Sequence, residues 1–216
     1  MYRLSQKAEQ MTVIGRPREF DREVALQEAM LVFWRRGFLA TSMNDLCDAM
    51  GIRSPSLYAA FGSKEALYIE AVGHYAKTIG PSIWGRLTDG PNARACVENL
   101  LLAAVESMPE CGAMPAGCMV TLAAVSEECP GEIPAIIKSV RLNCLEMLRA
   151  RLNDALVAGE LPSTTDVDRL SRFYLGVYQG IAIQARDGAT SADLKGVAET
   201  AMAAWPGKKA NRKRRA

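Results

Sequence analysis

The side chains best placed to act on another molecule gather between residues 41 and 64. Thr41, Ser42 and Lys64 fall where helices should begin, and backbone N–H groups and the helix dipole there favour an anion such as a phosphate. Arg53 lies in a turn, from which its guanidinium can reach a phosphate or a guanine edge. Ser56 and Leu57 fall in the first turn of a short helix, where side chains can meet base edges. Arg16-Pro17-Arg18, just ahead of the first helix, is either an arm for the minor groove or a solvated leader.

Those positions need rigid elements to hold them. Residues 37–67 read as two very short helices joined by a glycine-containing turn, with a third helix starting at once. A short helix cannot stand alone, because nucleation is costly and few hydrogen bonds follow it. The pair must lean on neighbours and offer one face outward, as a helix-turn-helix does. Thr41 or Ser42 can cap the first short helix, and Ser42-Met-Asn-Asp45 has capping-box spacing with Asp in place of Glu. Met43, Leu46, Cys47 and Met50 share one face, and Gly51 suits a left-handed C-terminal cap. Ser54 before Pro55 predicts an N-cap and a proline at the first helical position, with the helix running from about Pro55 to Ala60 and Gly62 closing it. Ser63 should cap the next helix, which opens with Lys64-Glu65.

Ala25-Leu26, Ala29, Phe33, Gly37-Phe38, Thr41-Ser42, Leu46, Gly51-Ile52, Leu57-Tyr58, Phe61 and Ser63-Lys64-Glu65-Ala66-Leu67 resemble the TetR/AcrR family of bacterial transcriptional regulators. The resemblance covers roughly residues 16–75, and Cys47 departs from it where the family usually has Ala. It implies an all-α protein with an N-terminal three-helix DNA-binding domain and a larger helical domain for an effector and for dimerisation. Tyr58 resembles the family tyrosine whose hydroxyl meets a phosphate. The implied domains are a leader over 1–15, a DNA-binding domain over 16–75, an effector and dimerisation domain over 76–205 and a basic tail over 206–216.

Composition agrees with a helical, non-membrane chain. Of the 216 residues, 49% are hydrophobic, and no apolar run approaches the roughly 20 residues needed to span a bilayer. The N-terminus is polar and lacks a signal-peptide core. The six cysteines show no framework spacing and no CxxC pair, so a reduced cytoplasm is expected. The net charge is +2, but six cations between Lys208 and Arg215 leave the rest of the chain at −4. That tail either adds nonspecific phosphate attraction or is a solvated terminus. Catalysis is disfavoured. His74 is the only histidine, so any nucleophile–histidine arrangement would have to use it, and no glycine-rich phosphate loop is visible. No cofactor and no metal are expected.

Helical periodicity continues to the C-terminus. The helix from Lys64 should end or bend near Gly80-Pro81. Val97 to Met108 marks another helix, Pro109–Pro115 a loop, and Ala116–Cys129 a further helix stopped by Pro130. One long helix is expected between Gly131 and Gly159, and the last two carry Leu170–Ile181 and Leu194–Trp205. Gly176 and Gly180 share a face, and two glycines inside a helix point to close backbone approach, either within the chain or to a second copy. In the resembling family the last two helices pair with those of a second subunit. On that basis Phe173, Gly176, Val177, Gly180, Ile181, Ala198, Ala201 and Trp205 form the expected dimer face.

The effector pocket of the resembling family is apolar. Candidates for its wall are Trp84, Met108, Met114, Cys118, Met119, Met147, Phe173 and Tyr174, although Met and aromatic residues at helical spacing equally serve as core. An alternative puts sensing on Cys111 or Cys118, one in the Pro109–Pro115 loop and one just after it, where loop placement could expose a thiol to oxidant, electrophile or Cu(I). The reading is therefore a homodimeric repressor on a palindromic double-stranded operator, released by a small-molecule effector. A helical module that binds ligand, or an architectural protein that binds DNA without sequence preference, is the rival from another class.

Overall fold

The computed structural model describes residues 20–123 and 129–207. Ten α-helices follow in order among them: α1 (Arg22–Arg36), α2 (Met43–Met50), α3 (Ser54–Phe61), α4 (Lys64–Thr78), α5 (Gly80–Trp84), α6 (Ala93–Ser107), α7 (Met119–Leu122), α8 (Ile133–Val157), α9 (Val167–Arg186) and α10 (Ser191–Ala203). A 3-10 turn, Gly85–Thr88, follows α5. Backbone bonds pair Cys111 with Met114, and no strand forms among the described residues. The all-α expectation holds. The leader, Arg16, Arg18 and tail residues 208–216 lie outside the described residues.

Local chemistry sets the helix starts. Asp21 caps α1 by accepting from Glu23 and Val24 N–H. Ser42 and Asp45 complete the capping box on α2, and Gly51 turns the chain with φ 64° and ψ 27°. Ser63 caps α4 by accepting from Ala66 N–H. One start differs from expectation. Arg53 is the N-cap of α3 and Ser54 is already helical, because the Ser54 hydroxyl lies 3.5 Å from the Cys47 sulfur and makes no cap bond. Pro55 still sits in the first turn, where its missing N–H costs nothing.

A second difference lies at residues 116–123. Of the helix expected over Ala116–Cys129, the described residues 116–123 contain α7, four residues long, which ends where Ala123 becomes extended; residues 124–128 lie outside the described residues. Gly117 accounts for the delayed start. Its φ of +80° favours glycine, and a Cβ there would come within 2.7 Å of the Ala182 oxygen on α9 and 2.6 Å of Leu122 Cδ1. Close approach to α9 therefore takes precedence over local helicity.

Packing divides the molecule at α4. Helices α1, α2 and α3 form a head: α1 lies on α4 and α2, and α3 touches α2 and α4. The larger part pairs α8 with α9 and sets α6 against α10. Helix α4 runs past residue 75, the expected domain boundary, to Thr78. One buried cluster joins both parts, with Phe33 edge-on to Tyr68 and Trp34 edge-on to Tyr75, ring centres 4.9 Å apart in each pair. Among the described residues no helix is long and apolar enough to cross a membrane.

Candidate functional site

The outward face of the head is built on α3. Leu57 and Phe61 anchor it from beneath, with 0% and 4% of their surface exposed. At helical spacing that leaves Pro55, Ser56, Tyr58 and Ala59 facing outward, with Arg53 exposed at the N-cap. The Tyr58 ring is 51% exposed. Its ring and hydroxyl are thus free to meet a partner on this face. Leu57 was expected at a base edge, and the structure corrects this: it lies in the core beneath the reading face and cannot reach one.

The supports of α3 are charged. Arg22 bonds the Ala60 carbonyl at 3.2 Å and Glu70 at 2.8 Å, and its guanidinium carbon lies 4.4 Å from the Phe61 ring centre. Lys64 is half-buried with Nζ 4.4 Å from the Phe38 ring centre, a cation–π contact that positions it at the start of α4. Thr41 differs from its expected role. Only 1% exposed, it donates its hydroxyl to the Gly37 carbonyl at 2.6 Å, so the hydroxyl closes the α1–α2 turn. Ser42 is exposed, and its hydroxyl donates to Asp45 at 2.7 Å. The Ser42 N–H, then its hydroxyl, then the Arg36 guanidinium hold the Asp45 carboxyl down at about 2.

The larger part contains a cavity of about 340 Å³ between α4, α5, α7, α8 and α9. Trp84, Cys118 and Met147 line it, as expected from the sequence. The other expected wall residues do not. Met108 and Tyr174 are buried in the core, Met119 borders a small depression beside Trp34 and Arg186, and Phe173 lies by a groove near Pro162 and the end of α10. Met114 packs on the core away from the cavity. Helix phase explains Met119, Phe173 and Tyr174, which point to a different side of α7 or α9 from the cavity, whereas Met108 ends α6 and Met114 lies in the following loop, neither of which lines it.

Polar wall residues that were not anticipated include Tyr75, Tyr178 and Arg141, with Thr121, Asn143 and Gln179. Arg141 shares a face of α8 with Ile137, Cys144 and Leu148, so a cation inside an apolar stripe was the available signal. Burial pushes the Tyr75 and Tyr178 hydroxyls well above their ordinary range. Burial, and then Cys118 nearby, push the Cys144 thiol up to about 12. Cys111 is exposed in its loop, whereas Cys118 is 3% exposed and receives a bond from the Tyr178 hydroxyl at 3.6 Å. Of the two candidate thiols, the one in the loop is thus exposed and the one just after it is buried. Among the described residues no three His, Cys, Asp or Glu side chains converge as a metal site.

The expected dimer face divides. Phe173 and Gly176 are exposed on α9, Val177, Gly180 and Trp205 are partly exposed, and Ile181, Ala198 and Ala201 are buried in the chain's own core. Those last three cannot meet a partner, because α6, α9 and α10 already pack over them. Nothing lies within 4 Å of a Cβ built on Gly176, and only Gln184 Nε2, at 3.9 Å, near one on Gly180. Close packing inside the chain is therefore not the reason for either glycine.

A family model described as bacterial regulatory proteins, tetR family, matches residues 25–71. The chain is 33% identical over 196 residues to the HTH-type transcriptional repressor ComR of Escherichia coli strain K12, across 89% of this chain and 92% of that protein. It is 38% identical over 111 residues to the HTH-type transcriptional repressor BdcR of the same organism, across 51% and 56% of the two chains. A solved structure of a cysteine mutant of the TetR family transcriptional regulator CifR, complexed with 26-base-pair operator DNA, superposes with a TM-score of 0.83 at 40% identity. It covers 89% of this chain and all of that one.

Proposed function

Because the chain belongs to the TetR family of bacterial regulatory proteins, we propose that it is a cytoplasmic repressor that binds an inverted-repeat operator as a homodimer and leaves it when a small molecule fills the α4–α9 cavity. The observation that carries this reading is the exposed face of α3, where Arg53, Ser56 and Tyr58 stand clear of a buried Leu57–Phe61 base. Tyr58 and Lys64 serve as phosphate contacts, and Ser56 with its outward neighbours reads bases in the major groove. The similar CifR structure is bound to operator DNA, which supports the same docking here. One short helix reads too few bases for specific affinity, so two copies related by a two-fold axis are needed.

Effector release follows from linkage. A ligand shifts the DNA equilibrium only by its difference in affinity for the two dimer geometries. A second reading places covalent sensing on Cys118, favoured by the position of its sulfur on the cavity wall next to Tyr178. Selection of bound fragments from the source genome, followed by affinity measurement, tests the main reading. An inverted repeat bound about a thousandfold or more above bulk DNA is the expected result. Equal affinity for all sequences would replace it with an architectural role.

A further inference from the structure

The cavity has an imbalance of charge. Among its described lining residues there is one cation, Arg141, and no carboxylate. Arg141 makes no ion pair with any described residue. Its Nε donates to the Val120 carbonyl at 3.1 Å, and Nη2 donates to Thr121 at 3.4 Å and Ala123 at 2.7 Å. These bonds fix the guanidinium against the α7 segment, but neutral carbonyls do not balance its charge. A guanidinium has five N–H donors, and the two on Nη1 make no bond among the described residues. Burial lowers the Arg141 pKa, so its charge is held at a cost that a nearby anion would offset.

The other polar groups on the wall are neutral: the Tyr75 and Tyr178 hydroxyls and the side chains of Thr121, Asn143 and Gln179. Tyr75 and Tyr178 keep their protons because burial disfavours the phenolate, so neither brings a negative charge to the wall, and the Tyr178 hydroxyl already donates to Cys118. The remaining wall is mainly apolar, with Ile83, Trp84, Val140 and Leu175. A lone cation beside neutral groups in a small, mainly apolar chamber suits a ligand with one negatively charged end and a hydrocarbon body. At about 340 Å³ the chamber is near the lower end of ligand sites, which favours a single ring or a short chain over a multi-ring molecule.

The geometry points to a compact organic carboxylate as the effector, its carboxyl group held by Nη1 of Arg141 and its apolar body lying against Trp84 and Leu175. This rests on the proposed role of the cavity as the effector site. It adds the charge of the ligand and the residue that selects for it. Arg141 also ties down residues 120–123, so an anion drawn to it acts directly on the segment that touches both α1 and α4.

Calorimetric titration of the DNA-free protein tests the assignment, with benzoate, phenylacetate and hexanoate set against benzamide, phenylacetamide and hexanamide. At least one acid should bind, about tenfold or more tighter than its own amide, since charge-assisted hydrogen bonds are roughly twice as strong as neutral ones. Arg141→Met should erase that preference while circular dichroism stays helical, and Arg141→Lys should keep part of it. The acid–amide ratio in the wild type decides the matter even if Arg141→Met fails to fold. Amides that bind as well as acids, a preference that survives Arg141→Met, or no acid binding at millimolar concentration would each overturn the assignment. The readout involves no DNA, so failure to find an operator would remove the proposed function and leave this result standing.

Discussion

Nη2 of Arg186, in the last turn of α9, donates to the carbonyl oxygen of Trp34 at the end of α1, 2.8 Å away. Nη1 of the same guanidinium donates to the next carbonyl, Arg35, at 3.1 Å. The last carbonyls of a helix have no partner within it, and a cation there also meets the negative end of the dipole. Arg35 makes a second link, donating to the Ala113 carbonyl in the α6–α7 loop at 2.8 Å. The head is thus held to the cavity-bearing part by arginines that bond backbone oxygens.

Arg186→Ala should therefore loosen the joint and leave the head's own core intact. Loss of two bonds from a charged donor costs about 1–3 kcal/mol, which for a chain of this size lowers the thermal midpoint by roughly 2–10 °C. Amide hydrogen exchange should rise at the end of α1 and not in α8. An unchanged midpoint together with unchanged exchange would show that the contact carries no coupling.

The Asp45 carboxyl gives the head a pH signature. Its pKa is depressed to about 2 by Ser42 and Arg36, below the usual 3.9 of an unfolded chain. A depressed acid stabilises the fold above its unfolded pKa, and that contribution is lost as pH falls through the folded value. Stability should fall between about pH 4 and pH 2, and Asp45→Asn should flatten that part of the profile. Ser42→Ala removes the cap and should cost about 1 kcal/mol at neutral pH. Urea midpoints across pH 2–6 provide the measurement, and an unaltered acid limb in Asp45→Asn would contradict this account.

Much of the head was legible because its signals are local. Ser42-x-x-Asp45, Gly51, Pro55 and Ser63 each act within four residues, and the structure places all of them at helix ends. The cavity was less legible because helix phase and long-range contact decide it. Met108 and Tyr174 have suitable side chains but face the core, whereas Arg141 entered the wall unnoticed in a stripe scored for hydrophobicity. The late start of the helix expected from Ala116 has the same cause, since the Gly117–Ala182 approach joins residues distant in sequence. Leu57 shows the limit within the head: its place in the first turn is correct, but only packing reveals which way it points.

Leu57 and Tyr58 should separate stability from recognition. Leu57→Ala opens a cavity under α3 and should cost roughly 2–5 kcal/mol, with DNA binding lost through unfolding of the head. Tyr58→Phe leaves the exposed ring in place and should not move the unfolding midpoint, while weakening operator and nonoperator DNA alike by about threefold to tenfold, as loss of one phosphate bond requires. Operator affinities measured beside thermal midpoints test both. Sequence-selective weakening in Tyr58→Phe would reassign that hydroxyl to a base.

Gly176 offers the last test, of assembly. Phe173, Gly176, Gly180 and Ile183 share one side of α9, with Phe173 43% and Ile183 48% exposed. Within the chain a Cβ at 176 meets nothing within 4 Å, so Gly176→Ala should be neutral or stabilising by up to about 1 kcal/mol, as helix propensity requires. Gly176→Leu should likewise leave the isolated protomer folded. Across a two-fold axis the same side chain appears twice, and forcing bulk into a close helix contact costs about 1–3 kcal/mol at each site. The variant should therefore shift from dimer to monomer at micromolar concentration, with unchanged helicity and weakened operator binding. Sedimentation equilibrium of wild type and variant decides the question. A wild-type monomer would remove the two-fold reading altogether, and a Gly176→Leu dimer as tight as wild type would move the interface off this side of α9.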